Sequence, residues 1–196
     1  PSQFTINSGG ILNQNTRTFT LNAGTFNLNS GGSVSNSGTF QTQSTVTMNI
    51  RNGSNFNSPL KVNTGTTNAY DSGSPFTAKF FGTVTVDVGA ILSTVGGGYF
   101  IQTISNVTNN GTFTSGGSST VLVRSPSFIN NGTVNPHNLQ FDSTTVLSGN
   151  GTYGGVNTLI AGSGNVSLAN NVTFSPSSAF TVNSNRILNP NTFTFT

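Results

Sequence analysis

At 196 residues the chain has room for one domain with a buried core, yet only 5% of its residues are charged, against about 25% in ordinary soluble domains. Its six cations (Arg17, Arg51, Lys61, Lys79, Arg124 and Arg186) are scattered and face three Asp and no Glu, which excludes the clustered phosphate footprint of a nucleic-acid binder. With no cysteine there is no disulfide framework or thiol chemistry, and no apolar run is long enough for a membrane helix, so no membrane insertion is expected.

Low charge combined with 32% hydrophobic residues is a composition that disordered chains share. Sixteen Phe and a persistent alternation of apolar residues with Thr and Asn oppose that reading, because alternation marks a half-buried strand. Helix formers are sparse and no helical apolar period persists. The chain is therefore read as all-β. Its only Met is Met48 and it begins at Pro1; removal of an initiator and leader, or a fragment of a longer chain, is expected.

In chain order, residues 4–20 read FTINSGGILNQNTRTFT. An apolar-Asn-Ser-Gly-Gly motif starts at Ile6 and again at Leu28. Gly-Thr followed by an apolar or aromatic residue then recurs at Gly24, Gly38, Gly82, Gly111, Gly132 and Gly151. The steps between copies are unequal, and several lie close to one common length or to twice that length. Residues 51–78 interrupt the rhythm with Pro59, Pro75, Tyr70 and Asp71 and are read as an irregular insertion or long loop. Regularity resumes at Lys79, where Val84, Val86 and Val88 are placed on one face and Thr83, Thr85 and Asp87 on the other. Residues 150–173 are the richest in Gly and Asn and suit tight coils. The chain closes on FTVNSNRILNPNTFTFT, residues 180–196, identical to residues 4–20 at twelve of seventeen aligned positions, where composition alone gives roughly two or three.

A loose period of about 20 residues with Asn-Gly corners predicts a single elongated β-solenoid (a parallel β-helix) over residues 1–196, of about nine or ten coils at about 4.8 Å each. Asn and Gly tolerate left-handed backbone angles at corners. The apolar residue after Gly-Thr is expected to point inward, and corner Asn side chains to ladder from coil to coil. A β-sandwich fibre subunit is the alternative fold.

The Asn-Asn-Gly-Thr corners, the Asn-Ser-Gly-Gly turns and the Ser/Thr/Asn/Gly-rich strands resemble the low-complexity β-solenoid repeats of bacterial surface proteins, adhesins and autotransporter passengers. The resemblance implies a parallel β-helix and an extracellular or cell-surface, secreted location.

Chemistry-bearing residues are few. Asp71, Asp87, Asp142 and His137 are the only acids and imidazole. His137 and Asp142 lie close in sequence, but nothing adjoining supplies a nucleophile, a second acid or a metal cluster. Neither enzyme activity, a cofactor nor a metal is expected. Gly96-Gly97-Gly98 lacks the Lys-Thr of a phosphate loop. Thr-x-Thr pairs at Thr45, Thr83 and Thr192 are those of an ice-binding face, but in the sequence they do not recur once per coil. Seven Asn-x-Ser/Thr sequons follow from composition.

The terminal repeat dominates the functional reading. A solenoid has two open ends, which natural solenoids usually cap. Here neither end carries a polar cap; Phe4, Ile6, Ile11, Leu12 and Phe19 are answered by Phe180, Val182, Ile187, Leu188, Phe193 and Phe195. These residues are the expected interface of a structural filament subunit that assembles head to tail with copies of itself, by stacking or strand donation. The alternatives are a repeat unit of a large cell-surface adhesin, or an ice- or glycan-binding solenoid with surface glycans as partners.

Overall fold

A computed structural model describes residues 2–35, 37–51, 53–70, 77–94, 100–116, 119–155, 157–160, 164–174 and 179–192. Its elements are all strands, three per coil. The first three coils are β1 (Gln3–Ile6), β2 (Ile11–Asn13), β3 (Phe19–Leu21); β4 (Gly24–Leu28), β5 (Ser33–Ser35), β6 (Phe40–Thr42); and β7 (Val46–Ile50), β8 (Asn55–Phe56), β9 (Leu60–Val62). The middle three are β10 (Thr66–Tyr70), β11 (Thr77–Phe80), β12 (Val84–Val86); β13 (Ile91–Thr94), β14 (Phe100–Thr103), β15 (Val107–Asn109); and β16 (Thr112–Ser115), β17 (Thr120–Val123), β18 (Ser127–Asn130). The last three are β19 (Thr133–Asn135), β20 (Asn138–Phe141), β21 (Thr145–Ser148); β22 (Thr152–Tyr153), β23 (Asn157–Ile160), β24 (Val166–Leu168); and β25 (Thr173–Phe174), β26 (Ala179–Val182), β27 (Leu188–Asn189).

Every third strand stacks on its predecessor, in parallel, to build three nine-stranded sheets. Sheet A runs from β1 to β25, sheet B from β2 to β26 and sheet C from β3 to β27. This is the parallel β-solenoid expected from the repeats, with nine coils. Because the pairing is parallel throughout the described strands, the sandwich alternative falls.

The strand period of two sorts the side chains. In β7, Val46, Met48 and Ile50 are buried and Thr47 and Asn49 are not. All six apolar residues after Gly-Thr (Phe26, Phe40, Val84, Phe113, Val134 and Tyr153) lie in the core. Phe rings meet within a coil, Phe26 and Phe40 at 4.8 Å, and from coil to coil, Phe40 and Phe56 at 5.3 Å and Phe56 and Phe80 at 5.4 Å. Corner Asn amides ladder as expected, Asn29 donating to Asn7 at 3.1 Å and Asn131 to Asn110 at 2.9 Å; strand Asn ladder as well, Asn49 donating to Asn27 at 2.6 Å and Asn109 to Asn130 at 2.9 Å.

The period is loose because corner length varies. Thr120 pairs with Asn138 across one short coil, whereas Thr66 pairs with Ile91 across one long coil. The Gly-Thr motif also serves two sheets. Gly24, Gly111, Gly132 and Gly151 precede or open strands of sheet A, whereas Gly38 and Gly82 precede strands of sheet C. The steps from Gly111 to Gly132 and from Gly132 to Gly151 are single coils, and the step from Gly38 to Gly82 is two. Glycine is needed there by contact with the coil below: a Cβ on Gly132 would sit 2.0 Å from the Gly111 carbonyl oxygen, and one on Gly151 2.2 Å from that of Gly132.

Two readings are corrected. Residues 51–78 are not an insertion where they are described: β8, β9 and β10 take their places in sheets B, C and A, and buried Phe56, Leu60 and Val62 continue the core. Pro59 is accommodated because it precedes its strand and contributes only its carbonyl, to the Phe40 amide at 2.8 Å. Asp71 and Pro75 fall outside the described residues. Val88 does not share the face of Val84 and Val86; it is 82% exposed. The chain turns there, with Gly89 at φ 76° and the Ala90 amide bonded to the Asp87 carbonyl at 3.0 Å, so the strand alternation has already ended.

Candidate functional site: the two end coils

Among the described residues, the three sheets each end in a strand with a neighbour on one side only: β1, β2 and β3 at one end, β25, β26 and β27 at the other. Their outer backbone groups point along the rod axis, where the next coil would sit. Because all pairing is parallel, the two ends are different surfaces, and a contact between them is heterologous.

The end coils also carry the incompletely covered part of the core. The half-buried apolar side chains packed against it are Phe4, Leu12, Phe19, Phe180 and Leu188, all of them residues singled out by the terminal repeat. At the first coil, Phe4 stacks on Phe26 at 5.9 Å and leans on Phe19 at 5.2 Å, and Phe19 continues to Phe40 at 5.1 Å. Ile6 is buried beneath the next coil, while Ile11 is 68% exposed. At the last coil, Phe180 meets Phe174 edge-on at 5.1 Å. Val182 is exposed and Ile187 is 57% exposed. Phe193 and Phe195 lie outside the described residues.

The repeat is conformational as well as sequential. The Gly10 amide donates to the Asn7 carbonyl at 2.9 Å, with Gly9 at φ 75°. At the matched turn near the other end, the Arg186 amide donates to the Asn183 carbonyl at 3.1 Å, with Asn185 at φ 63°. The Asn15 amide bonds its neighbour Asn13 Oδ1 at 2.9 Å, with Asn15 at φ 50°; the Asn191 amide bonds Asn189 Oδ1 at 2.9 Å, with Asn191 at φ 51°. Asn occupies left-handed positions more readily than other side-chain-bearing residues. The two copies do not occupy the same faces, however. Phe4 and Ile6 lie in sheet A but Phe180 and Val182 in sheet B; Leu12 lies in sheet B but Leu188 in sheet C.

The remaining candidate chemistry is used structurally. Arg124 donates from Nε and Nη2 to Asp142 Oδ2 at 2.9 and 2.7 Å, and Lys61 pairs with Asp87 at 3.1 Å, each pair tying one coil to the next. Asp142 thus orients a guanidinium, not His137, whose backbone N–H donates to Ser115 Oγ at 2.8 Å. No cluster of three His, Cys, Asp or Glu occurs among the described residues, and no helix is long and apolar enough to cross a membrane. A groove of about 340 Å³ on sheet B is lined by the neutral residues Thr120, Asn138, Leu139, Gln140, Asn157, Thr158 and Thr181.

One feature escaped the sequence reading. Register aligns Thr66, Ile91, Thr112, Thr133, Thr152 and Thr173 in one outward column of sheet A. Asn68, Ser93, Thr114 and Asn135 form the parallel column two residues along. From Thr112 to Thr173 a hydroxyl therefore does recur coil after coil, hidden in the sequence by unequal coil lengths. Compared with protein families, curated proteins and solved structures, the chain matches none.

Proposed function

We propose that this chain is a structural subunit of an extracellular filament, joined head to tail, with segment 180–196 of one copy meeting the N-terminal segment of the next. One observation carries the reading: the half-buried apolar residues against the core are the matched residues of the repeat. Completing a coil there covers apolar surface at about 25 cal/mol per Å² and pairs free strand edges at once. Strand donation uses the same surfaces. Two units joined covalently within a larger cell-surface adhesin would use them too. Extracellular placement follows from the resemblance to surface-protein repeats.

Electron microscopy of the purified chain tests the reading. Thin filaments are expected with an axial repeat near the length of nine coils, about 43 Å at about 4.8 Å per coil. Deleting residues 180–196 is expected to abolish them while leaving β structure by circular dichroism. Single rods at every concentration, or filaments that survive the deletion, would overturn it.

The threonine column favours a second reading, an ice-binding face on sheet A. Thr133, Thr152 and Thr173 are exposed, and beside Thr112 and Thr133 the second column adds Thr114 and Asn135, at spacings of about 4.8 by about 6.6 Å. Thermal hysteresis lost in the double variant Thr133→Lys, Thr152→Lys is the expected result; no hysteresis in the unmodified chain removes this reading.

A further inference from the structure

The face shift of the repeat sets the geometry of the joint. If copies met sheet to sheet, counting along the registers puts Phe180 on Gly10, Thr181 on Ile11, Val182 on Leu12, Leu188 on Arg17 and Pro190 on Phe19. An aromatic would then face a glycine, a leucine would face a guanidinium, and a proline with no N–H would enter the ladder. Turning the next copy by one face changes every pair. Phe180 falls on Phe4, Thr181 on Thr5, Val182 on Ile6, Ile187 on Ile11, Leu188 on Leu12 and Asn189 on Asn13.

The geometry points to a filament in which each copy is turned by one face, about a third of a turn, relative to its neighbour, β1 of the next copy pairing with β26 and β2 with β27. This rests on the head-to-tail reading above. The two most exposed apolar residues of the repeat among the described residues, Ile11 and Ile187, cover each other only in this arrangement. The turns at residues 7–10 and 183–186 then stack as neighbouring coils already do, where the Gly9 amide bonds the Gly31 carbonyl at 3.1 Å and that of Gly31 the Gly53 carbonyl at 3.0 Å.

A turned joint requires corners that are interchangeable, and the chain already uses them so. The same turn, with a bond from residue i+3 back to residue i and a left-handed third residue, links sheet A to B at residues 7–10, 29–32 and 51–54. It links sheet C to A at residues 87–90 and sheet B to C at residues 183–186. One backbone element thus fits all three corners, so a coil can be set down one face on without remodelling.

Cysteine pairs in the full chain distinguish the joints, because the protein has no cysteine of its own and adjacent parallel strands bring Cα atoms to about 4.8 Å, within disulfide range. Under mild oxidation, filaments of Ile11→Cys/Ile187→Cys are expected to give a ladder of covalent multimers, and filaments of Ile11→Cys/Thr181→Cys are not. A ladder only in the second variant, or in neither, overturns the turned joint while leaving head-to-tail assembly standing. Should the substitutions prevent assembly, helical reconstruction of the unmodified filament decides the same question: a subunit rotation of about 120° beyond the solenoid twist supports it, and a rotation near zero overturns it. Absence of filaments from the unmodified chain defeats the head-to-tail reading and this inference with it.

Discussion

The Tyr153 ring lies between Phe128 at 6.1 Å and Phe174 at 5.0 Å, and its hydroxyl is buried with no hydrogen-bond partner among the described residues. An unpaired buried hydroxyl costs about 1–3 kcal/mol, while the ring itself fills the column left by Val134. Tyr153→Phe is therefore expected to raise stability by about 1 kcal/mol, read by denaturant melts. Burial pushes the phenol above its ordinary value of 10.0, so the folded state holds the proton after the unfolded chain has begun to release it. The stability that follows is present below pH 10.0 and is lost as pH rises beyond it. The unmodified protein should weaken on that alkaline side more steeply than Tyr153→Phe. Equal slopes would mean that burial does not hold the phenol protonated.

At the scale of the strand and corner, the all-β class, the inward apolar set and the Asn ladders were legible because each depends on local alternation and on which residues tolerate a corner. Phe26, Phe113 and Tyr153 were placed correctly by the Gly-Thr that precedes them. What was not legible depends on register, which no local pattern records. The columns of Thr112, Thr133 and Thr152 are set by coils that differ in length. Residues 51–70 look irregular because they hold Arg51, Pro59 and Lys61 and because their one Gly-Thr, at Gly65, is followed by Thr67 and not by an apolar residue, yet Phe56, Leu60 and Val62 are core residues. Val88 was misassigned by extending a period of two past the corner at Gly89. The end residues were found because repetition is visible in sequence; their offset by one sheet was not, because it counts corners and not residues.

For the whole molecule, the way one rod meets the next follows from what its surface lacks. With 5% charged residues and a net charge of +3, copies neither repel strongly nor attract by complementary patches. The residues brought together at the proposed joint are apolar or neutral apart from Arg186, which falls on Gly10 in the turned arrangement, and Arg17, which the repeat aligns with Phe193; two of the three acids, Asp87 and Asp142, are already held by Lys61 and Arg124. Association should then rest on apolar burial and strand-edge pairing, terms that salt screening does not touch. The critical concentration for assembly, measured by light scattering, is expected to change by less than about twofold between about 0.05 and 0.5 M NaCl. It should fall in sulfate, which strengthens apolar burial, and rise on cooling, which weakens it. A steep dependence on NaCl would place the joint on charged side chains instead, away from Phe4, Leu12, Phe180 and Leu188.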